Sequence, residues 1–457
     1  MKSIVKLPVV YGCLMVLMVM MVVIFEDKMQ QFIDPEHVSA WYGGRFRSPK
    51  IWSQLVPEFL GVEKDLENTD TYPREENQDG GGPRDSKLLD PPKIPYVKEM
   101  PKKFLKADLG LDPENPPLKK ILVWVNGYGS KAMSFGFGRA PFQMAECEVD
   151  TCMVTGNRSF VPVEAFDAII FHFRAMEPLQ LPKIRSPHQR WVFWEVESAS
   201  YVYQNPSLYN GLFNWTMTYR RDSDIPYPYG RANALSSSPL TPSPSPLSSS
   251  TTEEPKKNYA AGKTKMAAWF VSNCFTHSRR EKLVNFMKKF IPVDVYGKCG
   301  PLKCSRDTTS LCYELLEKDY KFYFSFENSL CKDYVTEKLF SVLRYNVVPV
   351  VLGLGDYAHI VPPHSYINVL DFSNLQSLAN YLKYLNNNDT AYNEYFKWKD
   401  HYSVDDGWSS TAQNFCELCK KLHNDTVPKT YQDIRKWFMS QGGCKKLDTS
   451  AWSKLLV

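Results

Sequence analysis

The chain has 457 residues, 43% of them hydrophobic, enough for two ordinary domains with appendages. Its formal net charge is only +5, with neither a basic stripe nor a recognition motif, so nucleic acid is excluded as a partner.

Residues 1–6 form a short tip carrying Lys2 and Lys6, followed by an uncharged run at 7–25, LPVVYGCLMVLMVMMVVIF. At about 1.5 Å per helical residue this run can cross a hydrocarbon core. Glu26 and Asp27 follow it, so the positive-inside tendency puts the tip in the cytosol and the remainder in the lumen. A cleaved signal peptide is the rival reading, but the run is long and no A-x-A-like site follows. The expectation is a transmembrane signal anchor at 7–25 and a type II, single-pass topology.

Cysteine usage agrees with that compartment. Of eleven cysteines one, Cys13, lies in the run, which leaves an even ten in a setting that permits disulfides. The short separations of Cys147 from Cys152 and of Cys299 from Cys304 hint at local bridges. Sequons at Asn157, Asn214, Asn388 and Asn424 are candidate glycosylation sites.

Residues 26–117 are rich in Pro, Gly and charge and read as a stem. Strand-like runs then begin with ILVWV at 121 and continue as AFDAIIFHF (165–173), RWVFWEV (190–196) and FNWTMTYRR (213–221). They outline a first α/β domain over 118–230. Residues 231–262 contain LSSSPLTPSPSPLSSS, which cannot bury enough apolar surface to offset its ordering entropy and reads as a linker or loop. KMAAWFVSN (265–273), SRREKLVNFMKKF, IPVDVYG, KFYFSF, NVVPVVLG, SYINVLDF and LQSLANYLKYL then alternate strand-like and helical patterns. They define a second α/β domain over 263–400 with parallel strands, ahead of a Cys-containing region at 401–457. The expected fold class is therefore α/β, with two Rossmann-like domains facing a cleft behind an anchor and a stem.

Three places carry candidate chemistry. A helix over Tyr334–Leu343 would pack Val335, Leu339, Phe340 and Leu343 on one side and present Tyr334, Glu337, Lys338 and Ser341 on the other. Upstream, FYFSF delivers Glu327 and Asn328 at the carboxyl end of a strand, where parallel sheets bind ligands. An ordinary solvated helix face is the competing reading. Glu195 and Glu197 close the aromatic strand RWVFWEV and share a face with Trp191 and Phe193; they read either as a general base beside sugar-stacking rings or as solvated edge acids. DSD at 222–224 reads better as a charged turn beside Arg220 and Arg221 than as a metal site. GFGRAP at 136–141 reads as a turn, and Cys416-x-x-Cys419 as disulfide-bonded rather than half a zinc site. Neither a P-loop nor a G-x-G-x-x-G fingerprint is present.

SFENSLCKDYVTEKLF followed by VVPVVLG resembles the donor-binding signature of the animal α1,3-fucosyltransferases. FNWTMTYRRDSDIPYPYG (213–230), FVSNC (270–274), VDVYGKCG (293–300) and FCELC (415–419) are similar to the same family in the same order. Cys299, Cys304, Cys312 and Cys331 look most like its arthropod branch called fucosyltransferase C. The resemblance implies a GT-B-like architecture and inverting transfer from GDP-β-L-fucose, with no bound cofactor or metal. It implies that Tyr229, Asn273, Arg280, Asn328, Tyr334, Glu337 and Lys338 bind the donor, with Arg279 competing for the role of Arg280, and that Glu197 is the catalytic base. It also implies a glycan acceptor on glycoprotein or glycolipid and a Golgi membrane location. An outer antenna such as LacNAc or LacdiNAc is preferred over the core GlcNAc, and a homodimer is left open. An inactive lectin-like homologue is disfavoured because Glu197 and Lys338 are both present. A sulfotransferase would need a P-loop, and an adhesion ectodomain would need many evenly spaced short strands.

Overall fold

The computed structural model describes residues 117–124, 135–176, 181–235, 257–304 and 309–446, all within one compact unit, Lys87–Val457. The expected anchor at 7–25, the stem up to residue 116 and the Ser/Pro run at 236–256 lie outside the described residues. Among the described residues no helix is long and apolar enough to cross a membrane.

Two parallel sheets organise the chain. The first contains β1 (Lys119–Val123), β2 (Cys152–Thr155), β3 (Ala168–His172), β4 (Arg190–Glu195), β5 (Trp215–Thr218) and β6 (Ile225–Pro226), in the order β2-β1-β3-β4-β5-β6. The second contains β8 (Lys265–Phe270), β9 (Val293–Tyr296), β10 (Tyr320–Phe326), β11 (Val348–Leu352) and β12 (Ile367–Asn368), in the order β12-β11-β10-β8-β9. Parallel strands are covered on both faces, which is why these runs are apolar almost without interruption. All seven residues of β10 are buried, and so are all five of β11.

Among the described residues the α-helices are α1 (Ala140–Met144), α2 (Arg280–Met287), α3 (Thr309–Asp319), α4 (Glu337–Leu343), α5 (Tyr357–Ile360), α6 (Leu375–Asn386), α7 (Asp389–Asn393) and α8 (Gly407–Asn424). Leu283, Val284 and Met287 of α2 and Leu378, Leu382 and Leu385 of α6 cover one face of the second sheet. Leu339, Phe340 and Leu343 of α4 pack with Val351 on its other face.

The 401–457 region contains more than cysteines. Helix α8 lays Ala412, Phe415, Leu418 and Cys419 on Ile121, Val154, Val192 and Trp215 of the first sheet. Its apolar residues recur at helical spacing. A further strand, β7 (Gly230–Ala234), runs from the end of the first domain into the segment read as a linker and pairs antiparallel with β13 (Tyr402–Asp406). At Gly230 a Cβ would lie 2.3 Å from Phe340 Cγ of α4, so only glycine lets β7 approach that helix.

The disulfides differ from the local bridges suggested by spacing. They are Cys147–Cys416, Cys152–Cys419, Cys274–Cys299, Cys304–Cys312 and Cys331–Cys444. Cys416 and Cys419 sit one turn apart on α8, and the packing of α8 on the first sheet brings them to Cys147 and Cys152. Sequence proximity could not show this, because the partners are chosen by tertiary packing.

The sequon residue Asn214 is buried in this fold. It is 8% exposed; its side-chain oxygen accepts from the Arg185 guanidinium and from Trp191 N–H at 2.8 Å, and its Nδ2 donates to the Lys429 carbonyl at 2.8 Å. Asn157 and Asn424 are exposed, and Asn388 is half-buried as the N-cap of α7.

Candidate functional site

Helix α4 begins three residues later than expected. Thr336 is its N-cap, with extended backbone and a side-chain oxygen that accepts from Lys338 N–H. Tyr334 therefore stands before the helix rather than on its polar face, and it is 1% exposed. Its ring meets those of Tyr219 and Tyr229 edge-on, with centroids 4.9 and 6.4 Å away.

Its phenol donates to Glu197 Oε2 at 3.2 Å. Glu197 lies two residues beyond β4, half-buried, and its Oε1 faces Arg174 Nη1 at 3.4 Å. The Tyr229 phenol donates to the Val196 carbonyl at 2.7 Å, so both tyrosines brace the segment that carries Glu197. Glu195, at the end of β4, is fully buried rather than a solvated edge acid. Burial pushes its carboxyl up to about 8, although it accepts the N–H groups of Glu197 and Arg174.

A second cluster forms where β10 ends. Glu327, 1% exposed, accepts from Thr336 N–H at 2.8 Å and from its hydroxyl at 3.0 Å. Lys338 Nζ lies 3.3 Å from Glu327, 3.1 Å from Glu337 and 2.7 Å from the Thr336 hydroxyl. Burial alone would depress the Lys338 ammonium, but the two carboxylates hold it above its ordinary value. Burial raises the Glu327 carboxyl, and Lys338 offsets part of that rise.

Arg280 opens α2 and is 4% exposed, whereas Arg279 is exposed in a left-handed conformation. Arg280 Nη1 donates to the Phe326 carbonyl at 2.6 Å, while its Nε has no hydrogen-bond partner. Asn328 Oδ1 is likewise buried and unpartnered. Asn273 Nδ2 donates to the Tyr201 phenol at 3.1 Å.

The two clusters touch. Ser198, the residue after Glu197, donates its hydroxyl to that of Ser329, the residue after Asn328, at 2.7 Å, and both are fully buried. Ser278, ahead of α2, donates to the carbonyls of Glu327 and Asn328 at 2.6 and 3.0 Å. Thus Glu197, Tyr229, Tyr334, Lys338, Glu337, Asn328, Arg280 and Asn273 gather around the carboxyl ends of β4, β8 and β10. A cavity of about 240 Å³ is lined by Tyr219, Arg221, Val335, Phe340 and Asp356 among others.

Arg174 and Thr336 went unnoticed in the sequence. An arginine after AIIFHF carries no signal of its own, and Thr336 is readable only as a helix cap. Asp222 pairs with Arg220 and Asp224 with Lys429, as expected of a charged turn. Among the described residues, one group has the spacing of a metal site, Cys152, Cys419 and His423, but its two sulfurs are bonded to each other.

Residues 116–230 match the family described as Fucosyltransferase, N-terminal, and residues 260–437 match Glycosyltransferase family 10 (fucosyltransferase) C-term. The alpha-(1,3)-fucosyltransferase C of Drosophila melanogaster is 38% identical over 337 residues, covering 70% of this chain and 78% of that protein. The glycoprotein 3-alpha-L-fucosyltransferase A of the same fly is 37% identical over 341 residues, covering 73% and 62%. A crystallised alpha1,3-fucosyltransferase with GDP-fucose aligns with a TM-score of 0.43 at 20% identity, over 68% of this chain and 92% of that one.

Proposed function

Because the chain belongs to glycosyltransferase family 10, the fucosyltransferases, we propose that it is an inverting α1,3-fucosyltransferase acting from GDP-β-L-fucose. The acceptor is the GlcNAc of a glycoprotein or glycolipid glycan, with an outer antenna such as LacNAc or LacdiNAc preferred over the core. The two sheets belong to two domains that face a cleft, and a type II anchor at 7–25 holds them in the Golgi lumen.

In this reading the acceptor hydroxyl oxygen attacks the anomeric carbon of fucose. The bond from that carbon to the diphosphate breaks, and its electron pair leaves with GDP. Glu197 takes the hydroxyl proton, a contribution of about 10²–10⁴-fold for a positioned base. Lys338 and Arg280 meet the charge growing on the diphosphate, which is worth most where water is excluded. Glu337 accepts from a hydroxyl of the guanosine ribose or of fucose, and Asn328, Asn273, Tyr229 and Tyr334 shape the donor site. No metal or bound cofactor is invoked.

The observation that carries the reading is the buried Ser198–Ser329 contact, which puts the acid segment against the segment bearing the unpartnered Asn328 oxygen. The test is fucose transfer by the purified full chain to a LacdiNAc or LacNAc glycan and to a core N-glycan glycopeptide, with wild type and Glu197→Gln. Transfer that collapses in the variant supports the reaction and the base, and the acceptor used decides between antenna and core. GDP-fucose binding without transfer to either would favour a lectin-like protein, and no binding would sink the proposal.

A further inference from the structure

Glu195 stands apart from every role assigned above. It ends β4 on the same face as Trp191 and Phe193, and it is fully buried. Its two oxygens are nonetheless both engaged: Oε1 accepts the backbone N–H of Glu197 at 2.9 Å, and Oε2 accepts that of Arg174 at 2.9 Å. These are the two residues whose side chains pair at 3.4 Å in front of it. One buried carboxylate thus ties together the loops that follow β3 and β4.

We infer that Glu195 is the positioning residue for Glu197, holding the Arg174–Glu197 pair in register by accepting both backbone N–H groups. The inference rests on the assignment of Glu197 as the base. When ionised, Glu195 suits the task because a carboxylate offers an acceptor at each end, whereas an amide of the same shape offers one acceptor and one donor. Each of these N–H groups would otherwise need another partner away from water.

The groups facing Glu195 are Glu197 and Arg174 from the two loops, Tyr219 from the segment after β5 and Tyr229 beyond β6. Its raised pKa, about 8, makes its charge variable near neutrality. Once ionised, Glu195 binds the two N–H groups more strongly.

The test uses the full chain with GDP-fucose and the acceptor glycan that supports turnover. Wild type, Glu195→Gln, Glu197→Gln and the double variant are compared, with GDP binding and melting temperature measured alongside. Glu195→Gln is expected to lower kcat by about 10–100-fold with the donor KM unchanged, the cost of a misplaced catalytic group. It is also expected to remove the rise in rate through about pH 8 expected of wild type, and to cause no further loss in the Glu197→Gln background. Glu195→Asp, which keeps both acceptors, recovers part of the loss, and it carries the same comparison if the Gln variant does not fold.

A wild-type rate and pH profile in Glu195→Gln would overturn the inference. So would a loss confined to donor KM or melting temperature with the alkaline rise intact, or losses that multiply in the double variant. Failure of the underlying reading looks different: Glu197→Gln alone would then turn over normally.

Discussion

Tyr334 and Glu197 are 137 positions apart, yet the phenol of one donates to the carboxylate of the other at 3.2 Å. Tyr334 arrives on the loop between β10 and α4, and Glu197 on the loop after β4, so the bond joins material from both sheets. It aims the carboxylate while the ring fills space against Tyr219 and Tyr229. Tyr334→Phe keeps the ring and removes the donor. A hydrogen bond to a charged group is worth about 1.5–3 kcal/mol, so kcat for fucose transfer should fall by roughly 10–100-fold. Steady-state kinetics read beside the melting temperature would check this.

Lys338 has a structural debt to Glu327 as well as its proposed donor role. Replacing it with Met leaves the 1% exposed Glu327 without its cation, and breaking such a pair costs about 3–5 kcal/mol. Lys338→Met should therefore lower both the melting temperature and turnover. Adding Glu327→Gln should restore much of the melting temperature but none of the activity, which calorimetry and transfer assays on the two variants would separate.

Cys147–Cys416 and Cys152–Cys419 are nearly concentric, closing separations of 269 and 267 residues. With either in place, the other closes a ring of only about eight residues. Chain entropy then assigns roughly 2–3 kcal/mol to losing one bridge and about 3 kcal/mol beyond the sum of the two singles to losing both. Denaturant melts of Cys147→Ser with Cys416→Ser, of Cys152→Ser with Cys419→Ser, and of all four together measure that excess.

Glycan occupancy should follow exposure. Asn157 and Asn424 are exposed, whereas Asn214 is locked by Arg185, Trp191 and Lys429. Peptide mass spectrometry of the protein from a secretory host should find glycan at Asn157 and Asn424 and none at Asn214.

Stability should depend on pH through Glu195. Its carboxyl titrates near 8 when folded, so between about pH 4.5 and 8 the native state holds a proton that the unfolded chain has released. Stability therefore falls as pH rises through that window, by an amount on the order of 5 kcal/mol for the full shift. Glu327, also raised by burial, adds to the same trend. Melting temperature against pH should decline from 5 to 8 in wild type and flatten in Glu195→Gln.

The strands were legible in the sequence because parallel sheets bury both faces, leaving apolar runs such as KFYFSF and NVVPVVLG that local composition reveals. The polar residues after those runs were legible for a related reason: the carboxyl end of a parallel strand is where the chain leaves the core. Burial of individual acids was not, since Glu195 and Glu197 are two positions apart and alike in sequence but differ in what packs over them.

By itself, then, the sequence determined the alternation of strands and helices, the residues at the strand ends and the even set of ten cysteines outside the apolar run. Only the tertiary structure decided which cysteines meet, that α8 closes the first sheet, that Tyr334 precedes its helix, and that Glu195 lies under Glu197. The reason is physical. Local runs are set by backbone periodicity and side-chain polarity over a few residues, whereas pairing, capping by distant groups and the burial of a charge depend on contacts across hundreds of positions that no local pattern encodes.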